Sequence, residues 1–122
     1  MFIEPLPPRL KALAQTVEAA IEALPGVTRA SMWGSRNFKV GKKLFVCYGT
    51  SPAGLVLEFK LPPAAARAAL ATGIAEKHGF RTLAASGWIA VRLTRKRDVP
   101  RVLAWVGLSR TLYPGAEGGR RQ

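Results

Sequence analysis

Cysteine and histidine are almost missing from this chain, which has one of each in 122 residues and only seven acidic residues. A single Cys excludes an internal disulfide. Cys47 sits in an apolar strand pattern, where a small buried thiol is the ordinary state, so a reducing, cytoplasmic setting is expected. No cluster of Cys, His and Asp has the spacing of a metal site, and no Gly-rich loop with a phosphate-binding Lys precedes a helix. Ser35 in "GSR" superficially fits a nucleophile turn, but nothing ties it to His78, the one His. His78 is expected near a helix C-terminus as a satisfied or solvated side chain. No catalytic residue, metal or cofactor is therefore expected. No window approaches the roughly 18 consecutive apolar residues of a membrane span, and "MFIEPLPPRLKAL" lacks the basic and apolar regions of an export signal. A soluble, unexported protein without a membrane partner is the expectation.

What the chain does have is positive charge. Nineteen Lys and Arg against seven acids give a net charge of +12. Such an excess attracts polyanions, which makes nucleic acid the first partner class to consider. A GC-rich coding origin would also enrich Arg and Ala, so charge alone does not decide. With 48% hydrophobic residues the chain can bury one core, and its length suits one domain over residues 1–114, followed by a polar, Gly-rich, basic tail at 115–122.

Periodicity lays out the elements. From Arg9 to Leu24, apolar Leu10, Leu13, Val17, Ala20, Ile21 and Leu24 follow the three-and-four spacing of a helix face, with Glu18 and Glu22 mainly off it. Pro7 and Pro8 suit its start and "LPG" its end. "VTRASMW" reads as a strand, and "NFKV" with "KKLFVCY" as a hairpin about Gly41, where Gly supplies the positive φ of a tight turn. A loop of Gly41 and Lys42 sets Phe38 opposite Phe45, whereas one more loop residue sets Val40 opposite Leu44; both registers remain open.

"LVLEFK" alternates, with Leu55, Leu57 and Phe59 opposite Val56, Glu58 and Lys60. A helix is expected from about Pro63 to Lys77, anchored by Leu70 and Ile74, with Gly79 as its stop and Gly73 as a weak point. "GWIAVRLTRKRD" gives a strand with Ile89, Val91 and Leu93 buried and Trp88, Ala90 and Arg92 outward. Asp98 is placed to cap a last helix carrying Val99, Val102, Leu103, Val106 and Leu112. The fold class expected is α+β, in the order α-β-β-β-β-α-β-α, with an antiparallel sheet whose helices pack on one face.

In this order, "ALPGV", "SMWGSRNFKVGKKLFV", "LVLEFKLPP", "GWIAVRL" and "LAWVGLSRTLYP" resemble the MmcQ/YjbR family of small bacterial proteins from about Leu10 to Pro114. The resemblance implies a single "double wing" domain, a fold associated with DNA binding, and lends no catalytic site. The extra basic load in "GKK" and "TRKR" departs from that pattern.

The basic residues are segregated. Residues 29–60 hold six against one acid, and residues 77–101 hold seven against one. Lys39, Lys42 and Lys43 gather at the hairpin turn with Arg36 at its base, and Arg92, Arg95, Lys96, Arg97 and Arg101 join the last strand to the last helix. If both clusters project from one side of the sheet, they are the two ends of a basic stripe able to follow a phosphate backbone. Basic turns also serve as solvated guards against strand pairing. Trp33 and Trp88 are candidates for base stacking or partner contact, while Trp105 belongs to the core. The function expected is DNA binding by a monomer, with DNA ahead of RNA and a possible transcription-related role. The competing reading is a non-catalytic protein-interaction or small-ligand module using the open sheet face near Trp88.

Overall fold

A computed structural model describes residues 7–32 and 35–113. Trp33, the side chain of Arg36 and the tail at 115–122 lie outside the described residues. The first helix, α1 (Pro8–Glu22), begins where Pro8 loses nothing by lacking an N–H, because first-turn amides have no helical acceptor. Its expected face is buried at Leu10, Leu13, Val17 and Ile21, and Glu18 is buried beside them.

Four strands follow: β1 (Val27–Met32), β2 (Ser35–Val40), β3 (Lys43–Ser51) and β4 (Gly54–Lys60). After α2 (Pro63–Ala71), β5 (Ala75–Lys77) and the short α3 (Arg81–Ala85), the chain returns as β6 (Trp88–Leu93), turns through a 3₁₀ segment at Lys96–Asp98 and ends in α4 (Val99–Arg110). The sheet order is β1-β2-β3-β4-β6-β5, with every neighbouring pair antiparallel. The last strand thus slots between β4 and the edge strand β5.

The expected α+β architecture holds, with three local corrections. The second helix stops at Ala71 instead of running to Lys77. Thr72 turns its hydroxyl back onto the Ala69 carbonyl (2.6 Å) and accepts the Ile74 N–H (3.1 Å), and Gly73 takes φ +82. A left-handed residue ends a helix, so Gly73, not Gly79, is the stop. His78 consequently follows an edge strand rather than a helix C-terminus.

The hairpin loop is Gly41–Lys42, as in the shorter alternative, with Val40 opposite Lys43, but a bulge between Phe38 and Lys39 sets Phe38 opposite Val46. Phe45 and Val46 are both fully buried as a result, a pair that strict alternation would separate. Asn37 lies buried next to the bulge, and its Oδ1 accepts the Tyr48 N–H at 3.1 Å. Asp98 occupies the N-cap position of α4 but makes no side-chain capping bond.

The core lies between one sheet face and the helices. Phe38, Val46, Tyr48, Leu55, Leu57, Phe59, Ile89, Val91 and Leu93 supply the sheet side; α1, α2 and α4 supply Leu10, Val17, Ile21, Ala69, Val102 and Val106. Full burial of a Leu or Phe side chain contributes about 1.5–3 kcal/mol, so this layer dominates the stability. Leu70, Ile74 and Trp105 pack against its rim.

Candidate nucleic-acid interface

Register decides what the other sheet face carries. Glu58 stands between Cys47 and Ala90, with Glu76 beyond Ala90; Val56 stands between Gly49 and Arg92; Lys60 stands opposite Trp88. Every one of these positions alternates with a core residue, so the side chains present a face from which α1, α2 and α4 are absent. Lys39, between Thr28 and Leu44, belongs to the same face.

The two basic clusters lie at opposite ends of the strands. The β2–β3 turn lies at the end where β4 finishes and β6 begins; β6 finishes at the far end, where Leu93 pairs with Leu55. Lys42 and Lys43 are exposed at the first end; Arg92, Arg95, Lys96, Arg97 and Arg101 are exposed at the second. None of these side chains makes an ion pair among the described residues. Between them runs the row holding Glu58 and Glu76, so the clusters bracket the face and do not form one unbroken stripe.

The hairpin is held from behind. Tyr113 donates its hydroxyl to the Leu44 carbonyl (3.4 Å), and its ring meets Phe45 edge-on, with centroids 5.5 Å apart. At the other strand, Gly87 takes φ +102 just before Trp88, and its carbonyl accepts the Leu61 N–H at 3.0 Å. A Cβ at Gly87 would lie 2.4 Å from the Leu61 carbonyl oxygen, so only glycine lets β6 start here.

Trp88 is half-buried and meets His78 edge-on at 6.0 Å. His78 Nδ1 accepts the Phe80 N–H (3.0 Å), which leaves the proton of the neutral ring on Nε2, 3.3 Å from Glu58 Oε1. The His78 side chain is 8% exposed, and Phe80, 5.5 Å from it, is 69% exposed. Sequence reasoning missed this Glu58–His78–Phe80–Trp88 group, because nothing local marks residues 20 apart as neighbours.

Two charged or reactive residues read differently in three dimensions. Arg29, counted with the basic excess, is turned to the helical side. It holds Glu18 (2.8 Å) and Glu22 (2.7 Å) and lies over the Phe38 ring at 5.6 Å. The hydrogen bond from Arg29 draws the Glu22 carboxyl below its ordinary 4.5. Cys47 is only half-buried and looks onto the outer face, not into the core. Burial, with help from the Glu58 charge, pushes its thiol up to about 11, which leaves little thiolate at neutral pH.

Among the described residues, no three His, Cys, Asp or Glu side chains come together as a metal site would require, and no helix is long and apolar enough to cross a membrane. What the geometry defines is an α+β domain with a helix-backed antiparallel sheet, one open face and cationic groups at both ends of that face. The chain belongs to the YjbR family, whose sequence profile matches residues 22–112. No curated protein matches the chain.

Proposed function

We propose that this protein binds nucleic acid, duplex DNA above all, by laying the open sheet face along the phosphate backbone, with little base readout. The observation that carries this reading is the pair of cationic clusters at the two ends of the strands: Lys42 and Lys43, exposed at the hairpin with the half-buried Lys39 on the open face beside them, and Arg92, Arg95, Lys96, Arg97 and Arg101, exposed around the strand-to-helix turn. Cations at both ends grip a rod-shaped polyanion at two points, and the Glu58 row between them sets a gap that the rod bridges. In this reading the protein acts as a cytoplasmic binding module in a bacterium, without catalysis or cofactor. The test is anisotropy of a labelled duplex and of a matched single strand over a salt series. The reading expects duplex binding that weakens steeply with salt, because each neutralised phosphate releases counterions. Binding indifferent to salt would overturn it.

A second reading rests on Phe80, 69% exposed beside His78 and Trp88. An exposed aromatic at the end of the face suits an apolar protein partner or small ligand. That reading expects salt-independent binding lost in Phe80→Ala and Trp88→Ala.

A further inference from the structure

On the helical side, between the N-terminal turns of α1 and the segment joining β6 to α4, the surface opens into a groove of about 590 Å³. Pockets of roughly 300–1,000 Å³ take small organic ligands. The floor is apolar, made by Ala12, Leu13, Val99 and Pro100, and two cations line it, Arg9 and Lys96. Among the described residues, no acidic side chain lines it. Asp98, adjacent in sequence, sits half-buried at the N-cap position of α4.

The polar groups of the groove are set for an anion. Arg9 is tethered by one N–H to the Thr94 carbonyl (3.1 Å), which spends one of its five donors and fixes the position of the charge. The Thr16 hydroxyl turns back onto the Ala12 carbonyl at 3.2 Å, so it adds little polarity to the floor. A guanidinium grips a carboxylate with parallel N–H donors, and the apolar floor offers area to whatever the carboxylate is attached to. A phosphate backbone would waste that floor.

From this we infer that the groove is a binding site for a small anionic amphiphile, a carboxylate on an apolar body, with its head at Arg9 and Lys96 and its body over Ala12, Leu13, Val99 and Pro100. The site lies behind the sheet from the open face and shares only Lys96 with the basic clusters of the nucleic-acid reading, so binding measured without nucleic acid tests it separately.

The experiment titrates decanoate, in its monomeric range, into the ¹⁵N-labelled full chain, with decanol and acetate as comparators and no nucleic acid present. Saturable amide shifts are expected at Leu13, Thr16, Thr94 and Val99, with decanoate at least about ten-fold tighter than decanol, a difference expected of one charge-assisted contact. Acetate should give no saturable shift. Arg9→Gln/Lys96→Gln should bring decanoate down to the affinity of decanol. Ala12→Trp, at an exposed position of α1, should block both ligands while the remaining amide spectrum keeps its folded dispersion. Equal affinity for decanoate and decanol, shifts confined to other parts of the chain, an absence of saturation, or undiminished decanoate binding in either variant would each overturn the assignment.

Discussion

Reversing charge at one end of the open face should remove a countable part of the salt dependence of DNA binding, and reversing both ends should remove twice as much. The β4–β6 ladder runs from Lys60 opposite Trp88 to Leu55 opposite Leu93, five residue steps or roughly 17 Å at about 3.4 Å per residue. The two clusters extend from the two ends of this ladder. Their separation therefore exceeds the Debye length of about 10 Å at 0.1 M salt, and the ends should act independently. Each cation that neutralises a phosphate contributes about 0.9 to the slope of log K against log[salt], equivalent to about 3.5-fold in affinity between 50 and 200 mM salt.

Lys42→Glu/Lys43→Glu and Arg95→Glu/Arg97→Glu should each reduce the slope by about 1.8, and the quadruple variant by about 3.6. Anisotropy of a labelled duplex at five or more salt concentrations reads the slope, and circular dichroism confirms that each variant is folded. A slope unchanged by either pair, or one pair carrying the entire effect, would refute the two-ended grip.

Three further outcomes test how the face is built. Gly87→Ala should cost about 2–4 kcal/mol in urea unfolding, from a strained φ of about 1–3 kcal/mol and a weakened bond to Leu61 of about 1 kcal/mol. Gly41→Ala, with nothing within 4 Å of its Cβ, should cost about 1–2 kcal/mol, and equal losses at the two sites would contradict the close approach to Leu61. The Glu22 carboxyl should titrate below 4.5 by NMR and return toward 4.5 in Arg29→Ala; because its folded pKa is depressed, its contribution to stability is present above the unfolded value and is lost as pH falls through the folded one. Cys47 should react slowly with a thiol reagent at pH 7, speed up as pH approaches about 11, and react faster at a given pH in Glu58→Gln, because that change removes one of the two causes that hold the thiol up.

Much of the fold was legible locally. The face of α1, the alternation of β4 and β6 and the turn at Gly41 each depend on residues a few positions apart, and they came out as periodicity implied. The reading failed where a local signal had a competitor. The apolar spacing of Leu70 and Ile74 continued a helical pattern through Gly73, but the Thr72 hydroxyl and a left-handed glycine end the helix and free Ala75–Lys77 to pair with β6. The bulge before Lys39 was invisible because both hairpin registers on offer assumed strict alternation, and burying Phe45 and Val46 together outweighed it.

Taken alone, then, the sequence determined the element types, the buried face of each long element, the excess of cations and their concentration in two segments. Only the tertiary structure decided that β6 lies between β4 and β5, that Arg29 is withdrawn to Glu18 and Glu22, that His78 meets Glu58, and that the two basic segments sit at opposite ends of the strands. It also brought Arg9 to Thr94, 85 residues away, and so made the groove behind the sheet. The division has a physical cause. Periodicity and turn chemistry act over one or two turns of chain, whereas strand order, register slips and the meeting of charges are set by which distant surfaces bury the most apolar area when the whole chain closes on itself.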